Sequence, residues 1–159
     1  MADDTAFRDQ LVALLRGGNA HAAFGDAVKG FPPDRAGERP QGSPHSAWEL
    51  LEHMRIAQED ILRFSQSADH LSPQWPEGYW PDSPGPASPA QWNESLKAFE
   101  EDLAEFEAMV RDPRQDLHRK FPWGDGQTLL REALLIADHN SYHLGQLVLV
   151  RRLLGAWPE

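Results

Sequence analysis

Residues 128–154 read TLLREALLIADHNSYHLGQLVLVRRLL, an apolar run interrupted by Arg131, Glu132, Asp138, His139, His143 and Arg151. So many ionisable groups exclude a membrane span and make the segment a helix buried against partners. Upstream, Ser88-Pro89-Ala90-Gln91 offers a helix cap, a proline at the first helical position and a glutamine able to close the cap. The third helix starts there, with Trp92, Leu96, Phe99, Leu103, Phe106 and Val110 as its inward stripe and an end near Asp112-Pro113.

Ser46-Ala47-Trp48-Glu49 has the form of a capping box and opens the second helix, whose stripe reads Leu50, His53, Ala57, Ile61 and Phe64. The first helix runs from Thr5 to Arg16, with Phe7, Leu11 and Leu14 on one face and Gly17-Gly18 after it. Asn19 is positioned to cap a continuation from Ala20 to Lys29, bearing Ala20, Phe24 and Ala27 on one face, that Gly30 and Pro32-Pro33 stop. The first helix is therefore split. Residues 69–88 hold five prolines and three large aromatics, which cannot continue a helix and are too apolar for a disordered linker. The Trp75 to Trp80 part of that loop reads either as a lid over a pocket or as cover for the core. Residues 121–126, FPWGDG, form a turn-rich connection with room for a short hairpin. The expected fold is all-α, an antiparallel four-helix bundle forming one domain over residues 1–159.

The absence of cysteine excludes disulfides, thiolate metal sites and a cysteine nucleophile, so a metal would need nitrogen and oxygen ligands. A net charge of −10, with the basic residues scattered, disfavours nucleic acid as a partner. The N-terminal MADDTAFRDQ has no export-signal pattern, so a cytoplasmic location away from membranes is expected.

His139 and His143 lie four apart on one face of the last helix, and His53 interrupts the apolar stripe of the second. Burying three imidazoles without partners would cost several kcal/mol, and one divalent cation satisfies all three. Three neutral imidazoles plus an open position suit zinc, and nickel, iron or manganese can occupy the same donor set. Asn140 stands where the base of a His-Glu-x-x-His metalloprotease belongs, and the paired Glu-x-x-His motifs of carboxylate-bridged di-iron bundles are missing. Glu49 lies one turn before His53, Asp60 two turns after it, and Glu132 two turns before His139, so each is a candidate to orient an imidazole or act as a base. Asp138 and Gln146 are candidate hydrogen-bond partners of the ligands, while His21, His45, His70 and His118 read as surface residues. Imidazole ligation predicts that metal affinity falls as pH drops below about 6.5.

Ser46-Ala-Trp-Glu-Leu-Leu-Glu-His53, followed by Asp138-His-Asn-Ser-Tyr-His-Leu-Gly-Gln146, resembles the DinB/YfiT-like superfamily of metal-binding four-helix bundles over nearly the whole chain. The resemblance implies that His53, His139 and His143 take the places of the family's three metal ligands, with water or substrate completing the shell. It also implies a homodimer. Some relatives act on low-molecular-weight thiols, as bacillithiol and mycothiol S-transferases, and one is a maleylpyruvate isomerase. The leading expectation is a metal-dependent hydrolase or transferase, with zinc or nickel as the foremost metals and a small-molecule substrate, a thiol among the candidates. A thiol S-transferase and a non-catalytic, metal-stabilised module are the alternatives.

Overall fold

Helices α1 (Thr5–Arg16), α2 (Phe24–Val28), α3 (Ala47–Gln66), α4 (Pro89–Arg111) and α5 (Leu129–Leu153) follow one another in the computed structural model, which describes residues 4–157. Residues 1–3 and 158–159 of the expected domain lie outside the described residues. The four long helices α1, α3, α4 and α5 build the expected all-α bundle, with α3 against both α4 and α5 and α1 against the same two. The 121–126 connection forms no strand pair beyond one bridge between Lys120 and Thr128.

The starts of the helices obey the local chemistry of the sequence. Ser46 Oγ accepts from the Glu49 amide at 3.1 Å, and the Glu49 carboxylate accepts from the Ser46 amide at 2.8 Å, closing the box that opens α3. Ser88 accepts from the Gln91 amide at 3.2 Å, and Thr128 from the Arg131 amide at 3.1 Å. Where every neighbouring pair was expected to be antiparallel, α3 and α4 run in the same direction: Gln58 bonds Phe99, Arg63 bonds Asp102 and Glu105, and Gln66 bonds Glu105. The proline-rich segment between them is thus a crossover that returns the chain along the bundle. It is tied down where Ser46 Oγ donates to the Pro84 carbonyl and where Gly37 meets Gly85, a crossing so close that a Cβ on Gly37 would lie 2.8 Å from the Gly85 Cα.

The apolar core has two parts. One joins α2, the first half of α3, Trp92, Phe99 and the last half of α5; the other joins α1, Leu62, Phe106, Val110 and the first half of α5. Between them a polar link crosses the interior, in which Asn140 Nδ2 donates to Gln58 Oε1 at 2.9 Å and Gln58 Nε2 donates to the Phe99 carbonyl at 2.7 Å. α3 runs antiparallel to α5; of its expected stripe Leu50, His53 and Ala57 are buried, but Ile61 and Phe64 are only half-buried, and Leu51, Met54, Gln58 and Leu62 go inside as well.

At the start of the chain the structure corrects the reading more strongly. Leu11 is buried as expected, but Phe7 and Leu14 are exposed, and α1 buries Arg8, Val12 and Leu15 instead. Arg8 goes inside because backbone carbonyls satisfy it: it donates to Val110 O at 2.6 Å and Gln115 O at 2.7 Å. The continuation expected over Ala20–Lys29 shrinks to α2, and the Asn19 amide, expected as its cap, donates back to the Ala13 carbonyl. α2 is held from α5 by Arg151, a buried guanidinium that donates to the carbonyls of Ala27 and Lys29, each at 2.6 Å, and of Ala156 at 2.8 Å.

Candidate metal centre

His53 stands on the second turn of α3, facing the stretch of α5 where His139 and His143 lie one turn apart. The antiparallel pairing brings one nitrogen from each ring within 4.8 Å of the others. His139 Nε2 and His53 Nε2 are 3.0 Å apart. Two nitrogens bound tetrahedrally at zinc distances would be about 3.3 Å apart, so closing on an ion needs movements of only a few tenths of an ångström there.

Two of the rings are oriented by acceptors behind them. His53 Nδ1 lies 2.8 Å from the Tyr79 carbonyl, which can only accept, so Nδ1 carries the proton and Nε2 offers its lone pair inward. His143 Nδ1 donates to Gln146 Oε1 at 2.7 Å, with the same result. Burial, then the fields of His143 and His53, lower the pKa of His139 to about 4, and burial is also the main cause that lowers those of His53 and His143. All three are therefore neutral at pH 7, the state in which imidazole binds metal. The donor set, its protonation and its spacing fit a divalent cation.

Aromatic rings close one side. Trp80 lies flat on His53, with centroids 3.9 Å apart and planes 2° apart, and His45 stacks on Trp80 at 4.2 Å. His45, expected at the surface, is half-buried in this stack. Tyr142, itself exposed, meets His143 edge-on. Of the Trp75 to Trp80 loop, Trp80 thus covers a ring of the cluster, while Trp75, 71 % exposed, packs on the Tyr79 ring with centroids 5.4 Å apart.

The carboxylates are placed elsewhere. Glu49 closes the α3 cap and pairs with Arg39; burial pushes its pKa up, but the Arg39 and Ser46 bonds outweigh that and hold it below the ordinary value. Asp60 accepts from the Tyr79 hydroxyl at 2.7 Å, and its other oxygen bonds His70 Nε2 at 2.7 Å. Glu132 is buried beside Arg131, which donates to it at 2.8 Å, and burial raises its pKa. Asp60 and Glu132 line a 190 Å³ cavity with Ser72, Gln127 and Arg131. None of the three hydrogen-bonds an imidazole of the cluster. Asp138, expected beside the ligands, is exposed on the outward side of α5 and makes no hydrogen bond or ion pair among the described residues. Gln146 sits where it was expected. The Tyr79 carbonyl was missed because a backbone acceptor carries no side-chain signature; the aromatic content of the 69–88 loop was the only hint of Trp80.

A protein-family model described as the DinB superfamily matches residues 19–147, a span that includes all three histidines. No curated protein and no solved structure matches the chain.

Proposed function

The chain belongs to the DinB superfamily, and from that premise we propose that it is a divalent-metal-dependent enzyme, a hydrolase or transferase of small molecules, with His53, His139 and His143 as ligands. The observation that carries the reading is the convergence of three neutral imidazoles, two of them held with their Nδ1 protons turned away from the cluster. The bound ion, zinc or nickel in first place, supplies Lewis-acid activation of a carbonyl, water or thiol. The chain's own part is to fix the tautomers, through Tyr79 and Gln146, and to exclude water from one face of His53 with Trp80.

Space for a substrate lies alongside. A 220 Å³ cavity is lined by His45 and Gln146 together with Leu50, Leu149, Val150 and Leu153. Among the described residues no lysine or arginine hydrogen-bonds or stacks on the three imidazoles, so the carboxylates of a thiol cofactor lack a cationic anchor at the cluster. Hydrolysis is therefore favoured over thiol transfer.

A second copy of the chain is the proposed partner of the outward face of α5. Leu134, Tyr142, Leu149 and Leu153 are exposed there, and Gly145 among them has open space over it. Asp138 and Arg152 stand seven residues to either side of Gly145, both exposed and neither in an ion pair among the described residues. Two copies crossing antiparallel at Gly145 would set Asp138 against the partner's Arg152, twice over.

The test is elemental analysis of untagged protein beside His143→Ala. About one equivalent of zinc or nickel is expected in the wild type and a large loss in the variant. A wild type that contains no metal and takes up none when it is added would sink the reading.

A further inference from the structure

Asp60 lies two turns beyond His53 on α3, and Tyr79 touches the helix at both places. Its carbonyl accepts from His53 Nδ1 at 2.8 Å, and its hydroxyl donates to Asp60 Oδ2 at 2.7 Å. Seven residues of helix advance about 10 Å, so one tyrosine spans the interval and is pinned at each end to the same rigid element. The second Asp60 oxygen holds His70, near the start of the same crossover, at 2.7 Å. One carboxylate thereby gathers two points of the segment that carries the Tyr79 carbonyl.

We propose that Asp60, acting through the Tyr79 hydroxyl, is the positioning residue that fixes the tautomer of His53 and, through it, the metal affinity of the cluster. The proposal rests on the reading of the three imidazoles as ligands. Stacking by Trp80 cannot do this alone, since it contacts the face of the ring and leaves the choice between Nδ1–H and Nε2–H open. In-plane partners choose: His139 Nε2, 3.0 Å from His53 Nε2, can either donate or accept, whereas the Tyr79 carbonyl at Nδ1 can only accept and so sets the direction. If the clamp is released, the Nε2–H tautomer becomes accessible, and a nitrogen carrying a proton has no lone pair for an ion. The hydroxyl is a donor at neutral pH at the ordinary tyrosine pKa of about 10.

The experiment compares wild type, Tyr79→Phe, Asp60→Ala and the double variant. Tyr79→Phe keeps the ring and the carbonyl and removes only the hydroxyl. Two quantities are read: the His53 tautomer in metal-free protein, by imidazole nitrogen–proton NMR at pH 7.5, and zinc affinity by chelator competition. Wild type should show His53 as Nδ1–H alone. Each single variant should show mixed tautomers and bind zinc about 10-fold more weakly, as loss of a group that orients a ligand does. Because both residues act through one hydrogen bond, the double variant should be no weaker than the weaker single. A His53 that remains wholly Nδ1–H in both single variants overturns the proposal, and so do losses that multiply in the double. A wild type unable to bind zinc sinks the metal reading, whatever the tautomer does.

Discussion

At His139 burial and two neighbouring rings decide what a single proton costs. The half-buried ring faces His53 and His143 and keeps its proton only below about pH 4, whereas an imidazole in the unfolded chain titrates near 6.5. Below 6.5 the unfolded chain therefore takes up protons that the folded one refuses, at His139 and, in the same direction, at His53 and His143. The stability of metal-free protein should be full above pH 6.5 and fall as pH drops from there towards 4, read as a declining urea midpoint. Zinc affinity at pH 6 should be better kept than the ordinary imidazole value of about 6.5 implies, because the folded rings compete for protons less well. The clustering of the three imidazoles was legible, since all three histidines stand on apolar helix faces that must meet in one core. Their orientation was only half legible: Gln146 lies on the same helix face three residues from His143, whereas the acceptor for His53 is a carbonyl in a distant loop.

A helix start is the element whose chemistry the sequence states most openly. Ser46, Ser88 and Thr128 all cap as their positions require, because the partners lie three residues away. Ser46→Ala should destabilise the protein by more than the ~1 kcal/mol of an ordinary cap, as it also releases the Pro84 carbonyl of the crossover. Urea denaturation beside Ser88→Ala, an exposed cap, measures the difference; equal losses would mean that the tie to Pro84 contributes nothing. The start of α1 was read wrongly for the complementary reason. Phe7 and Leu14 follow the periodicity yet are exposed, and Arg8 breaks it yet is buried, because carbonyls in the last turn of α4 and just beyond it accept its protons. Acceptors about a hundred residues away leave no trace in a local pattern.

The assembled molecule shows an outward α5 face that the bundle does not need. If two copies meet there, Leu149→Glu should halve the mass seen by analytical ultracentrifugation while leaving the metal content intact, since Leu149 is exposed and lies outside the cluster of three imidazoles. A wild type that already sediments as a monomer would remove the homodimer. The antiparallel reading failed for α3 and α4, because a long connection permits either arrangement and only the pairs from Gln58 to Gln66 with Phe99 to Glu105 choose. No helix among the described residues is long and apolar enough to cross a membrane. Of the six tryptophans, Trp80 is the one seen stacked on a ring of the cluster. A cation on His53 draws electron density from that imidazole and makes it a better electron acceptor for the excited indole. Zinc should therefore dim the emission of the whole protein, and Trp80→Phe should abolish the response while binding persists. The ring that shields the site would then serve as an optical gauge of its occupancy.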